Sequence, residues 1–320
     1  MSAAEDRDAA SRNAASRNAE SRVAGVDLDV EALMRLRLLS GRGDARRAAA
    51  VAPHGGVARR RRGRGSETYD VRPWSDGDDI RSLDRNVTAR TGAPHVRSFH
   101  DERERSVLYL VDFRASMLFG TRRAFRSVAA AEAVVASAWR VIDGQGRIGL
   151  AAIGASGARC FGWAAGARSF PPLLVALAAA HRAALEDKAE RDEPPLAAAL
   201  EEMERVGGSS AMTLATALDA PGDAFDAIAG RIASRRDVSV LLIADRFELA
   251  PPPGLYPFRT RQEAGLLRIA QRAAPAPDER QARLRRLGAR TLEIDAGEDA
   301  ETIARALASF DGERLDGRSR

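Results

Sequence analysis

SVLYLVDFRASM, residues 106–117, is the stretch whose reading decides the fold. Val107, Leu108, Tyr109, Leu110 and Val111 follow one another without the polar alternation of a half-exposed strand. Both faces of such a strand have to be covered, as in a parallel sheet between two helical layers. Two further runs of this kind stand at 148–153 and, as VSVLLIA, at 238–244. The segments between them have helical periodicity: 124–142 sets Val128, Val135, Trp139 and Ile142 on one side. Helices are expected at 170–185, 196–206, 224–233, 280–287 and 301–310, and strands at 211–216 and 290–294. A short strand at 159–163 turns back from the glycines at 154 and 157, which makes it an antiparallel edge. Strands alternating with helices of this length predict an α/β fold with a doubly wound, mostly parallel sheet and right-handed crossovers.

Outward from this core the composition changes. Residues 1–26, with the near repeat SRNAASRNAESR, hold too few large apolar groups to offset their ordering entropy and are expected to be a disordered tail. Within 27–64 a short helix carries Val30, Leu33, Leu36 and Leu39 on one face, capped by Asp27 or Asp29. A basic linker follows. Ten arginines against one acid lie between Arg35 and Arg64, ending in Arg59, Arg60, Arg61, Arg62 and Arg64. Guanidinium forks of that density can clasp phosphates, and a solvated linker is the plainer reading, because no aromatic side chain is interleaved to stack bases. Residues 65–104 read as a β-rich segment with extended stretches at 68–74 and 93–99. There Asp76, Asp78 and Asp79 are turn and cap residues for a helical turn at 80–85. The main domain is expected at 105–311, with a disordered tail at 312–320.

Several function classes are disfavoured by what is present. Cys160 is the one cysteine among 320 residues, so no intramolecular disulfide forms, and it reads as a buried, inert thiol. No apolar run reaches the roughly 20 residues needed to cross a bilayer, and the N-terminus has no secretory pattern, so a cytoplasmic protein without membrane insertion is expected. No GxxxxGK[ST] loop is present, and none of the four histidines adjoins a serine or cysteine motif.

In doubly wound sheets ligands bind beyond the carboxyl ends of the strands. Asp112 and Ser116 could face one loop there and invite a magnesium ion, but two oxygens are too few to hold it alone. Asp245 and Glu248 close a later strand as Asp-x-x-Glu, and read as groups fixing the loop before Pro251.

Residues 65–92, GSETYDVRPWSDGDDIRSLDRNVTARTG, with 95–121, HVRSFHDERERSVLYLVDFRASMLFGT, resemble the bacterial Domain of Unknown Function 58 family. Its members share a GDDxRxxDW...AR run and a strand ending in DxSxSM. The resemblance implies a von Willebrand A-like fold with an N-terminal β-rich signature segment packed on the core, and a MoxR-type AAA+ ATPase as partner. It also locates a metal motif, Asp-x-Ser-x-Ser, completed by a threonine and a second aspartate from later loops. Asp112 and Ser116 match it, whereas Arg114 takes the middle serine position, Pro194 and Pro195 fall where the threonine is expected, and Ala217 where the aspartate is. Such a site is degenerate: the Arg114 guanidinium can pair with Asp112 where a cation would sit, and magnesium binding is doubtful.

The expected function is a non-enzymatic protein-interaction module. Asp112, Arg114 and Ser116 contact a MoxR-type ATPase in a maturation or chaperone-like system, and no cofactor is needed. The alternatives are a nucleic-acid-binding protein using the basic linker, and a metal-dependent von Willebrand A-type binding domain or enzyme using Asp112 and Ser116.

Overall fold

A computed structural model describes residues 23–40, 69–75, 80, 83–99, 106–187, 193–259, 263–270 and 279–316. The chain divides into two units, residues 51–104 and the remainder.

In the smaller unit, β1 (Tyr69–Pro73) pairs antiparallel with β2 (His95–Phe99), in register from Tyr69 opposite Phe99 to Pro73 opposite His95. Between them runs a helix, Arg85–Thr91. The carboxylate of Asp84 caps it, accepting from the backbone N–H of Asn86 and Val87 at 2.9 and 3.0 Å. Gly92 ends it at φ 75°, the left-handed conformation that glycine adopts without penalty. The turn expected at 80–85 is present at its start, where Ile80 stands in a 3-10 turn and its carbonyl accepts from Leu83 N at 3.3 Å, and the α-helix follows after Asp84. Its cap is an acid outside the SDGDD cluster, whose Asp76, Asp78 and Asp79 lie outside the described residues.

The larger unit holds the predicted doubly wound sheet. Its strands are β3 (Ser106–Asp112), β4 (Arg147–Gly154), β5 (Gly157–Ala165), β6 (Ala211–Thr216), β7 (Asp237–Ala244) and β10 (Arg290–Asp295). The order is β10-β7-β6-β3-β4-β5, parallel throughout except for β5, which returns antiparallel beside β4. From β3 the chain moves outward through β4 and β5, then crosses back to build β6, β7 and β10 on the other side. The switch in strand order thus falls between β3 and β6.

The continuous apolar strands have the expected cause. Val107, Tyr109 and Val111 point to one face, against the long helix Arg126–Asp143. Leu108 and Leu110 point to the other, against the helices Leu196–Glu204 and Phe225–Ala233. Alanines 129, 130, 131, 133, 136 and 138 are buried in the long helix and let its backbone lie close to the sheet. Tyr109 carries its hydroxyl into this layer and bonds Ser137 at 2.9 Å.

The helix Val30–Ser40 belongs to this core, although it was expected to stand outside it with the linker. Leu28, Leu33 and Leu36 are buried, the indole of Trp139 donates to the Leu33 carbonyl at 3.3 Å, and Arg37 pairs with Asp143 at 2.8 Å. At the other end the last helix, Ala300–Asp316, runs through residues 312–316, where a disordered tail was expected. Cys160 is half-buried on the edge strand β5, where full burial was expected.

Beyond β7 comes a feature with no counterpart in the sequence reading. A short helix, Arg246–Leu249, leads into an antiparallel hairpin of β8 (Gly254–Arg259) and β9 (Ala264–Ile269).

Candidate functional site

Asp112 is the last residue of β3 and Thr216 the last of β6, so both stand at the switch point, and the Thr216 hydroxyl donates to Asp112 Oδ2 at 2.7 Å. Two residues beyond Asp112 the chain turns back, and the Arg114 side chain folds onto the carboxylate. Nε donates to Oδ1 at 3.0 Å and Nη2 to Oδ2 at 2.8 Å, a bidentate pair, while the Arg114 backbone N–H also reaches Oδ1. The other guanidinium donors go to backbone carbonyls: Nη1 to Pro194 at 2.8 Å and Ala220 at 3.3 Å, Nη2 to Asp219 at 2.8 Å. All five N–H groups of the fork have acceptors. Asp112 and Arg114 are 0% and 1% exposed. Burial works to lower the arginine pKa, but the bond and charge of Asp112, with the charges of Glu193 and Asp219, outweigh it and hold the group above its ordinary value.

The loop after β6 is shaped around this cation. Leu218 and Ala220 both have positive φ, 63° and 42°, a conformation that costs a non-glycine residue about 1–2 kcal/mol. The strain turns the carbonyls of Asp219 and Ala220 toward the guanidinium. The same loop completes the helix Leu196–Glu204, whose first N–H groups, from Leu196 and Ala197, donate to the carbonyls of Ala220 and Pro221 at 3.0 Å each. One buried arginine therefore ties together the ends of β3 and β6, the Pro194 turn and a helix start.

Ser116 turns elsewhere. Its hydroxyl and backbone N–H both donate to Glu193 Oε1, at 2.7 and 3.0 Å. A second arginine, Arg126 at the start of the long helix, forms the next layer outward. Its Nη1 straddles the carboxylate of Glu248 at 2.8 and 2.9 Å, Nη2 reaches Asp219 Oδ2 at 3.0 Å and also bonds the Ser116 carbonyl, and Phe119 lies against its face. Asp245 accepts from the Thr121 hydroxyl and backbone at 2.6 and 2.8 Å and from Phe247 N at 2.9 Å. With Glu248 it forms a capping box on the short helix Arg246–Leu249. The pair thus holds a loop, as its spacing suggested. The partly exposed groups of this face are Glu193, Asp219, Glu248 and Phe119.

Of the residues singled out in the sequence, Asp112 and Arg114 meet, and Ser116 lies one layer away on Glu193. Asp112 and Arg114 are beneath the surface, so direct contact with a partner, expected of all three, is closed to them in this conformation. They form the floor on which the exposed carboxylates rest. Thr216, Glu193, Asp219 and Arg126 were missed. Thr216 carries the one signal that was available, a hydroxyl beside Ala217, the position compared with the second aspartate. The basic positions Arg59, Arg60, Arg61, Arg62 and Arg64 lie outside the described residues.

The site does not fit a divalent cation. A carboxylate offers about four lone-pair positions, and those of Asp112 are taken by Arg114 N, Nε and Nη2 and by Thr216. The three carbonyls facing the same space are taken by the guanidinium, and a cation placed there would meet its positive charge. Among the described residues no group of three or more histidine, cysteine, aspartate or glutamate side chains is arranged to hold a metal.

The family described as "Protein of unknown function DUF58" matches residues 70–286. The uncharacterized proteins Rv1480 of Mycobacterium tuberculosis and Mb1516 of Mycobacterium bovis are each 40% identical to the chain over 87 residues, 27% of this chain and 27% of theirs. The chain thus spans about a quarter of the length of the curated relatives it matches. Among solved structures, the conserved hypothetical protein BatB from Bacteroides thetaiotaomicron aligns at 13% identity and TM-score 0.41, over 66% of this chain and 99% of that one. A von Willebrand factor type A protein from Catenulispora acidiphila aligns at 13% identity and TM-score 0.36, over 67% and 42%.

Proposed function

Because the chain belongs to the family described as Protein of unknown function DUF58, we propose that it is a protein-interaction module with no catalytic role of its own. Its partner in this reading is a MoxR-type AAA+ ATPase, and the pair works in a maturation or chaperone-like system. The observation that carries the reading is the saturation of Arg114: every N–H of its buried guanidinium is accepted within the fold, which leaves a preorganised loop face whose partly exposed groups, among the described residues, are Glu193, Asp219, Glu248 and Phe119. Among the described residues the Ser116 hydroxyl of that face is held by the Glu193 carboxylate, with no histidine beside it to act as a base. Asp245 and Glu248 are committed to a cap and to Arg126, and are in no position to work as an acid and base pair. Recognition by carboxylates around an aromatic side chain favours a basic patch on the partner.

The test is capture of the purified ATPase by the full chain in each nucleotide state. Wild type is expected to retain it, and Glu193→Gln and Asp219→Asn, which remove the rim charges but keep an oxygen for the bonds from Ser116 and Arg126, are expected to weaken retention while remaining folded. Failure of wild type to retain the ATPase in any nucleotide state defeats the reading, and so does undiminished capture by both variants.

A further inference from the structure

The β8–β9 hairpin presents apolar side chains on both of its faces. In an antiparallel pair, residues directly opposite share a face and neighbours along a strand alternate. The register sets Leu255 opposite Arg268 and Pro257 opposite Leu266 on one face, with Tyr256 opposite Leu267 and Phe258 opposite Gly265 on the other. Leu255 and Leu266 are 63% and 67% exposed, and on the reverse side Leu267 and Phe258 are 52% and 36% exposed. At its base Tyr256 meets Phe247 edge to face at 4.8 Å and donates its hydroxyl to the Pro252 carbonyl. A two-stranded hairpin is marginal in water without a covering surface, and large apolar groups this exposed on both sides mark a contact site.

We infer that this hairpin is a membrane-surface anchor, which enters the interface of an anionic bilayer without spanning it. Two observations choose this occupant over a protein surface. A protein partner laid on the hairpin covers one face, whereas the headgroup and acyl boundary takes up both at once. Charge agrees: residues 254–269 contain Arg259, Arg261 and Arg268 against the single acid Glu263, and each arginine near an anionic leaflet favours binding. Phe258 and the leucines are the side chains that the apolar face of an interfacial segment buries. Among the described residues the two strands pair with no third, and their outer edges restrict the hairpin to the hydrated interface, where water satisfies the N–H and C=O groups. Pro257, with no N–H, leaves one fewer donor to satisfy. The inference is independent of the ATPase reading, since a chain that never meets an ATPase could still bind lipid.

The experiment is co-sedimentation of the full chain with vesicles of phosphatidylcholine alone and of phosphatidylcholine mixed with phosphatidylglycerol, at low and high salt. Wild type is expected to sediment with the mixed vesicles and to be released by salt. Leu255→Asp with Leu266→Asp, and separately Phe258→Asp with Leu267→Asp, should each cut the partition roughly ten-fold or more, because each removes apolar burial from one face. A second measurement does not depend on how those variants fold. In a Cys160→Ser background, an environment-sensitive fluorophore is attached at Leu266→Cys or at Leu267→Cys, residues that point to opposite faces. Both labels should brighten on anionic vesicles. Wild type remaining in the supernatant with mixed vesicles overturns the inference. So does brightening at one position only, or a dimer in solution that Leu255→Asp with Leu266→Asp dissolves, which would assign the hairpin to a protein surface.

Discussion

Replacing Arg114 by methionine tests how much of the loop face rests on one side chain. The substitution keeps a flexible apolar chain of similar length and removes the guanidinium. Asp112, 0% exposed, is left holding a buried charge with the Thr216 hydroxyl and the residue 114 backbone N–H as its donors. Breaking one side of a buried ion pair costs about 3–5 kcal/mol. The carbonyls of Pro194 and Asp219 lose their guanidinium donors as well, whereas Ala220 keeps the Leu196 N–H. The loop strain at Leu218 and Ala220 also loses the contacts that offset it. A total near 4 kcal/mol is expected, a large share of the roughly 5–15 kcal/mol that holds a domain together. The assay is urea unfolding, comparing midpoints at equal slope. The double variant Asp112→Leu with Arg114→Met removes both charges together and should cost clearly less than the sum of the two single changes, with a coupling of about 2 kcal/mol or more. A loss below about 1 kcal/mol for Arg114→Met, or additivity in the cycle, refutes the reasoning.

Three further outcomes follow from contacts elsewhere in the larger unit. Thr216→Val keeps the shape but deletes the hydroxyl that donates to Asp112 and accepts from Leu218 N, so about 2 kcal/mol should be lost in the same urea assay; an unchanged midpoint contradicts the site geometry. His181 is buried beside Phe113 with its Nε2 on the Ser127 hydroxyl, and burial, partly opposed by Asp27, pushes its pKa down to about 4. A folded pKa below the unfolded value near 6.5 means stability that is complete above pH 6.5 and falls by about 3 kcal/mol as pH drops toward 4. His181→Gln should flatten that part of the urea midpoint against pH curve, and an equally steep curve in the variant counts against it. Leu33→Ala, in the helix at residues 30–40, should cost about 2–5 kcal/mol because Leu33 is buried in the core; a cost of a few tenths would return that helix to the linker.

The layered sheet was legible because its central strands are buried on both faces and therefore read as unbroken apolar runs, the one pattern that a single strand announces without knowledge of its neighbours. Position at the end of such a run also singled out Asp112, and the arginine two residues on was within reach of it by local geometry. The rest of the site was not legible for the opposite reason. Glu193 and Asp219 arrive from loops remote from Asp112 in sequence and reach its site through the crossover at the switch point, while Arg126 opens the helix that follows β3 and carries no local sign of where its guanidinium goes. The only sign of Thr216 in sequence is its place beside Ala217, where the aspartate position of the family motif falls. The helix at 30–40 has an apolar face that says it is covered but not by what, and its burial against Trp139 is a tertiary fact. The β8–β9 hairpin was missed because a proline within GLYPFR and a glycine within AGLLRI weaken each strand as a local signal.

The central claim, that Arg114 takes the place of a divalent cation, is met most directly by titrating magnesium into wild-type protein freed of metal with a chelator and following thermal unfolding. The account predicts no saturable rise in melting temperature up to about 10 mM, because a ligand stabilises a fold only by binding its native state. A saturable rise that the chelator reverses and Asp112→Asn abolishes would contradict it.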